Sequence, residues 1–478
     1  MKINIKLIGL ISGPLVFALI FFLFPTEGLS SEGKGVLACT CWIAIWWMTE
    51  AIPVEATALL PIILFPITGS LDIKSTTFPY GNPLIFLFLG GFIIAIAIER
   101  WNLHRRIALT IINIIGTNPR KVILGFMIAT GFLSMWISNT ASTLMMVPIG
   151  LSVISNMNSS IHFSKALLLS IAYSASIGGM ATLIGTPPNI VFAGVVKNTF
   201  GVDIGFFDWM LLGIPFSMVL VVITWYFLSH IAFKIDSKET DNSTIREKIK
   251  EMGRITPEEK RVLIVFLFTA ICWMGRKYPI SLWIPQTNDT IIAIAGGISL
   301  FMIPDSNGGK LVQWKHMSKL PWGVLMLFGG GLSIANAFVK TDLANWLGSQ
   351  LYTFNTLPLL FLVIIIAAMV NFLTEVTSNV ATASMILPIL AALAVSINIH
   401  PYYLMVGAIL ASSCAFMLPI ATPPNAIIFS SEHIQMRDMI KTGFFINLIS
   451  IVLISLFVYF LMPKIWHLDM SQFQQIVE

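Results

Sequence analysis

The chain has 478 residues, 56% of them apolar, and only 28 Lys or Arg and 23 Asp or Glu. A soluble domain carries roughly 25% charged residues, so 11% charge with a mean hydropathy of +0.86 excludes a water-facing globule, a disordered chain, a fibre and a disulfide scaffold. The net charge of +5 gives no reason to expect a nucleic-acid partner. The four cysteines, Cys39, Cys41, Cys272 and Cys414, lie in apolar segments without Cys-x-x-Cys spacing, so they read as small buried hydrophobes and not as a zinc or redox site.

Runs of about 20 apolar residues predict an all-α polytopic membrane protein. Taken in order, the spans fall near 6–25, 35–49, 52–69, 83–99, 165–196, 209–233, 260–275, 289–303, 321–339, 402–430 and 443–462, about eleven transmembrane helices. The first reads as a retained helix and not a signal peptide, because its apolar core is long and no small-x-small cleavage site comes after it. Two further stretches, 122–156 and 357–399, are too long for one helix and too interrupted for two full ones. Each has a polar Ser-Asn tip halfway and predicts a re-entrant hairpin, a form tolerated at membrane depth only where protein or a watery cavity surrounds it.

This layout divides the chain into N-terminal scaffold helices (1–81), a first repeat (82–233), a charged polar linker (234–260), a second repeat (261–463) and a tail (464–478). With a cytoplasmic N-terminus, 21 of the 28 Lys and Arg fall inside and 7 outside, as the positive-inside rule requires. Counting either hairpin as a full crossing would reverse the sidedness of every later segment, so the same asymmetry supports both hairpins and places the C-terminus outside.

The chain matches itself at a nearly fixed offset. Gly90, Gly91, Ala95 and Ala97 recur 240 residues later as Gly330, Gly331, Ala335 and Ala337, and Pro148 as Pro388. At the same shift Ser138-Asn139-Thr140-Ala141-Ser142 recurs as Ser378-Asn379-Val380-Ala381-Thr382. Thr186-Pro187-Pro188-Asn189 recurs 236 residues later as Thr422-Pro423-Pro424-Asn425. Because the first hairpin opens inward and the second outward, the halves read as inverted copies, an arrangement characteristic of secondary transporters that hold substrate between the copies near the midplane. A duplicated channel scaffold is the structural alternative.

Four polar tips should therefore meet: the two Ser-Asn turns and the two Thr-Pro-Pro-Asn breaks. Pro187, Pro188, Pro423 and Pro424 lack amide hydrogens, so the helix unwinds there and frees carbonyl oxygens suited to a small cation. The helices that restart after each break present partly positive N-termini suited to an anion. Asn139 and Asn379 each offer an oxygen and an NH2, and Ser134 and Thr374 lie one turn back. Helix capping is the competing explanation for these Ser and Asn residues, and duplication beside Pro-Pro breaks weighs against it. No Lys or Arg is close in sequence to the tips, so an anion there needs amides, hydroxyls, helix dipoles and co-bound cations; sodium suits such oxygen ligands. Glu375, three residues before Ser378, is either a proton or cation site or a hydrogen-bonded structural group; its counterpart in the first half is Met135. Glu50 and Glu55 flank Pro53 in a short turn and read as interfacial. The glycines at 90–91 and 329–331 suit close helix packing, since no Gly-Lys-Ser/Thr comes after them.

The stretch Trp46-Trp47-Met48-Thr49-Glu50-Ala51-Ile52-Pro53, both Ser-Asn tips, both Thr-Pro-Pro-Asn breaks and the two-hairpin layout resemble the divalent anion/sodium symporter family of dicarboxylate, citrate and sulfate carriers. The resemblance covers nearly the whole chain and implies a homodimer in which a transport domain moves against a fixed scaffold, an elevator mechanism. It implies one sodium site at Ser134, Ser138, Asn139 and the backbone around Gly185, and a second at Thr374, Thr377, Asn379 and the backbone around Ala421. It places substrate carboxylates at Asn139, Thr140, Asn379, Val380, Thr186, Pro187, Thr422 and Pro423. Val380 stands where the symmetric pattern has threonine, which removes a hydroxyl on one side.

The resulting expectation is a multi-pass plasma (inner) membrane transporter that imports a C4-dicarboxylate such as succinate, malate or fumarate with at least two Na+. It uses no organic cofactor and works no chemistry on its substrate; its partners are the dicarboxylate, the bilayer and a second copy of the chain. A sulfate or citrate carrier of the same fold and a sodium-independent dicarboxylate exchanger are the near alternatives. A membrane-embedded hydrolase would need a nucleophile with a base or a metal, yet the seven histidines fall near span ends and form no His-Glu-x-x-His.

Overall fold

Short polar residues and prolines decide where the helices begin. In the computed structural model, which describes residues 5–116, 118–156, 160–235, 243–350 and 356–468, Ser30, Asn82, Asn118 and Ser160 each accept a backbone N–H at a helix head. They start Ser31–Thr49, Pro83–Arg100, Pro119–Ser134 and Ile161–Gly179. Proline is the first helical residue at 83, 119, 187 and 423, where its missing N–H costs nothing. Prolines also divide the stretch near 52–69 into Val54–Thr57 and Leu60–Ile67.

The internal repeat of the sequence is a repeat of elements. Pro83–Arg100, Leu103–Ile115, Pro119–Ser134, Asn139–Asn156, Ile161–Gly179, Pro187–Phe200 and Phe206–Tyr226 reappear in order as Trp322–Lys340, Leu343–Gln350, Leu359–Thr374, Asn379–Ser396, Tyr402–Ser412, Pro423–Phe429 and Met436–Leu456. The stretches 122–156 and 357–399 are helix-turn-helix units broken at 135–138 and 375–378. The stretches 165–196 and 402–430 are interrupted at 180–186 and 413–422, just before the Pro-Pro pairs. Leu103–Ile115, Leu343–Gln350 and Ser243–Glu251 are helices that a search for long apolar runs passes over. In the first, Leu103, Ala108, Leu109 and Ile112 are buried on one face. Residues 236–242 of the linker and 469–478 of the tail lie outside the described residues.

Among the described residues, Ile5–Leu23, Ile73–Arg100, Phe206–Ala232, Trp322–Lys340, Asn379–Ser396 and Met436–Ile465 are long and apolar enough to cross a membrane. Several other segments are shorter, interrupted or charged at one end. Their outward faces are nevertheless apolar: Phe268, Ile271, Ile291 and Ile298 are all exposed. Apolar exposure on this scale suits lipid and not water.

Two packing arrangements place the site. Pro83–Arg100 lies along Asp289–Met302, and Phe88 meets Phe328 edge-on with ring centroids 5.0 Å apart. The first helix of each hairpin packs along the helix after that hairpin, Pro119–Ser134 on Ile161–Gly179 and Leu359–Thr374 on Tyr402–Ser412. The halves then cross: Pro187–Phe200 packs on Asn379–Ser396, and Pro423–Phe429 packs on Asn139–Asn156. Each Pro-Pro helix therefore rests on the hairpin of the other half.

Candidate functional site

Each hairpin turn is built the same way. Ser134 ends its helix, is fully buried, and places its hydroxyl 2.6 Å from Asn139 Oδ1 and 2.7 Å from the Ala175 carbonyl. Thr374 does the same in the second half, 2.6 Å from Asn379 Oδ1 and 2.9 Å from the Ser412 carbonyl. A hydroxyl has one hydrogen to give, so it serves the asparagine oxygen or the carbonyl in turn, and its lone pairs leave it an oxygen ligand itself. Asn139 and Asn379 are the first residues of their helices and half-buried, so their side chains stand at partly positive helix ends. Ser138 is exposed and accepts the Ala141 N–H at 3.2 Å, which is the capping role expected as its alternative. Thr377 is buried, with its hydroxyl 2.8 Å from the Leu373 carbonyl and 2.6 Å from Thr382 Oγ1.

The unwound segments lie against these turns. A Cβ built on Gly179 would stand 2.5 Å from Asn139 Oδ1, and one on Gly185 would collide with the Gly179 carbonyl oxygen. Glycine at both positions is what lets the loop reach the asparagine. Thr182 donates to the Met135 carbonyl at 2.5 Å, tying the loop to the first turn. The second half reverses this link. Glu375, at the position of Met135, accepts the N–H groups of Phe416 (2.8 Å), Met417 (2.9 Å) and Leu418 (3.0 Å), and Asn447 Nδ2 at 2.7 Å. Every one of these bonds is accepted and none donated, which is the geometry of a hydrogen-bonded anchor for the loop.

Thr186 and Thr422 are buried in extended backbone at the heads of the Pro-Pro helices, and Thr422 Oγ1 also accepts the Asn425 N–H at 3.3 Å. Pro187 and Pro423 are the first residues of those helices, and Ala421 is buried one residue before Thr422. Thr140 is half-buried, whereas Val380 is buried, so the two copies differ in chemistry and exposure. The two loops touch where Cys414 Sγ lies 4.0 Å from Met180 Sδ, and Tyr173, in the helix before the first loop, donates to the Phe416 carbonyl of the second at 2.9 Å. The structure thus joins Ser134, Asn139 and the Gly185 loop in one cluster and Thr374 with Asn379 in another. The asparagine oxygens are held within their own halves, Asn139 by Ser134 and Asn379 by Thr374. A cavity of about 300 Å³ lies elsewhere, between His104, Arg105, Leu133, Met146, Ile149 and Lys248, and includes no tip residue.

The asparagines that close the two Thr-Pro-Pro-Asn motifs, Asn189 and Asn425, receive no role from sequence. Both are fully buried and donate to loop carbonyls, Asn189 to Thr182 at 2.7 Å and Asn425 to Leu418 at 3.0 Å. Their recurrence at the same shift is the signal that could have found them.

With this geometry in place, the model of the sodium:sulfate symporter transmembrane region matches residues 5–466. The chain belongs to the sodium:sulfate symporter family. It is 48% identical over 484 residues to a protein named sodium-dependent dicarboxylate transporter SdcS from Staphylococcus saprophyticus, covering 98% of this chain and 93% of that one. The same identity and coverage hold for the protein of that name from Staphylococcus aureus strain USA300. Among solved structures, it superposes on the MtrF efflux pump of Neisseria gonorrhoeae with a TM-score of 0.59 at 13% identity, covering 93% of this chain and 97% of that one. The YdaH transporter of Alcanivorax borkumensis gives a TM-score of 0.57 at 11% identity, with 88% and 97% covered. At such identities these two show a shared fold alone. The family is one of multi-pass membrane transporters and not of enzymes, in agreement with the sequence expectation.

Proposed function

We propose that this family member is a sodium-coupled importer of C4-dicarboxylates such as succinate, malate or fumarate across the plasma membrane. The observation that carries the proposal is the paired asparagine, each held by a hydroxyl at 2.6 Å at the head of a restarting helix. The names of the 48% identical relatives support both the ion and the substrate class. In this reading Ser134, Ser138, Asn139 and Gly185 bind one Na+, and Thr374, Thr377, Asn379 and Ala421 bind another. The dianion rests on Asn139, Thr140, Asn379, Thr186, Pro187, Thr422 and Pro423, with Val380 narrowing one side. Bringing two negative charges to membrane depth without Lys or Arg is costly, and cations bound beside them reduce that cost. Coupling follows from that electrostatic dependence. The hairpins are re-entrant, the halves are inverted, the N-terminus is cytoplasmic and the C-terminus external, and a homodimer works by an elevator motion.

The test is uptake by purified protein in vesicles. Asn139→Ala and Asn379→Ala should each abolish labelled succinate uptake while leaving folded protein in the membrane, and normal uptake by either removes that asparagine from the site. The family's sulfate members make sulfate the second reading; excess unlabelled sulfate or citrate that suppresses uptake better than succinate would favour it.

A further inference from the structure

Unwinding a helix inside a membrane protein frees carbonyls, and something must decide which way each one points. In the first half one carbonyl, Thr182, receives two donors: the Gly185 N–H at 3.3 Å and Asn189 Nδ2 at 2.7 Å. In the second half the corresponding carbonyl, Leu418, receives the Ala421 N–H at 3.2 Å and Asn425 Nδ2 at 3.0 Å. All three positions, 182, 185 and 189, map onto 418, 421 and 425 at the same shift of 236. Asn189 also reaches the Gly179 carbonyl at 3.2 Å, and Asn425 the Ala415 carbonyl at 3.1 Å, each ten residues upstream. Both asparagines are fully buried, and among the described residues the side-chain oxygen of each has no hydrogen-bond partner. Leaving a buried amide oxygen unpaired is unfavourable, so the duplicated arrangement favours the donors at the expense of the acceptor.

We infer that Asn189 and Asn425 are positioning residues for cation binding: each clamps the turn that ends at Gly185 or Ala421 and thereby fixes the direction of the carbonyl offered to Na+ there. The inference rests on the proposed sodium sites. With the clamp in place, the N–H of Gly185 or Ala421, in the peptide just before the offered carbonyl, is held by the same carbonyl that the asparagine holds. Without it, that carbonyl loses its stronger donor and the turn can rotate. The asparagines touch no substrate; they act through the loop, and each acts on its own site.

The experiment uses full-length protein in proteoliposomes and in detergent. Asn189→Leu and Asn425→Leu keep the side-chain size and remove both donors. Each should raise the sodium concentration for half-maximal succinate uptake about tenfold, while the maximal rate is recovered at high sodium and the KM for succinate there stays near that of the parent. A merely structural role would lower the maximal rate at every sodium concentration and leave the half-maximal sodium concentration alone, and that result overturns the inference. Should the leucine variants fail to fold, Asn189→Asp and Asn425→Asp provide the second readout, sodium-induced thermal protection in detergent without substrate. An aspartate donates only when protonated, so protection should return as the pH is lowered in these variants and not in the parent; protection that is independent of pH and equal to the parent's contradicts the clamp. If Asn139→Ala and Asn379→Ala also retain normal sodium dependence, the sodium-site reading itself fails. If they lose uptake while the Asn189 and Asn425 variants behave as the parent, only the clamp fails.

Discussion

Replacing Glu375 by glutamine separates its two readings. The carboxylate accepts Phe416, Met417 and Asn447 on Oε1 and Met417 and Leu418 on Oε2. A glutamine can place its oxygen at the Oε1 position, but its NH2 then faces the Leu418 N–H, so one bond is lost and the rest become neutral. Hydrogen bonds to a charged group contribute about 1.5–3 kcal/mol each and neutral ones about 0.5–1.5, so losing the Leu418 bond and weakening the other three puts the loss at roughly 5–8 kcal/mol. At about 2.1 cal/mol/K of unfolding entropy per residue, a chain of this length should lose about 5–8 °C in Tm. The assay is thermal unfolding of purified Glu375→Gln in detergent, measured beside uptake at several pH values. A lowered Tm with reduced uptake at every pH fits the anchor. An unchanged Tm with a lost pH dependence of transport would make Glu375 a proton-coupling group and refute the reasoning.

Thr140→Val should weaken succinate affinity about tenfold and leave the sodium dependence near that of the parent, because its half-buried hydroxyl is assigned to the anion; uptake kinetics at fixed sodium check this. Ser134→Ala removes the hydroxyl that orients Asn139 Oδ1 and should raise the half-maximal sodium concentration by about tenfold, the scale of one hydrogen bond, as read in sodium titrations of uptake. His316, in the connection before Trp322–Lys340, accepts the Gln313 N–H at 2.9 Å through Nδ1, and burial together with the Arg100, Lys315 and Lys319 charges holds its pKa below the ordinary 6.5. A base whose folded pKa is depressed contributes stability that is full above its unfolded pKa and lost as pH falls. Thermal stability should therefore decline on acidification below about 6.5, and His316→Gln should flatten part of that decline.

The hairpins and broken helices were legible because their signals are local: a Ser-Asn pair caps a helix, and Pro-Pro cannot continue one. Duplication strengthened both, and the structure's elements recur in the same order at offsets of 230 to 241 residues. Leu103–Ile115 was not legible to a search for long apolar runs, since Arg105 and Arg106 interrupt it and its apolar residues recur at helical spacing on one face only. Arg106 in fact anchors this helix to the head of the helix Pro257–Gly275 through Glu259, at 3.0 Å. Glu375 remained two-sided in sequence because its partners, Phe416 to Leu418 and Asn447, lie 41 to 72 residues away. Asn189 and Asn425 were visible as letters of a motif, yet their donors serve carbonyls, and no side-chain pattern marks a carbonyl.

The most direct test of sodium-coupled dicarboxylate import is labelled succinate uptake into proteoliposomes holding the purified protein, with an inward Na+ gradient and, separately, with K+ throughout. Accumulation only with Na+ is the expected result. Equal uptake in K+, dependent on dicarboxylate inside the vesicles, would contradict it and make the protein an exchanger.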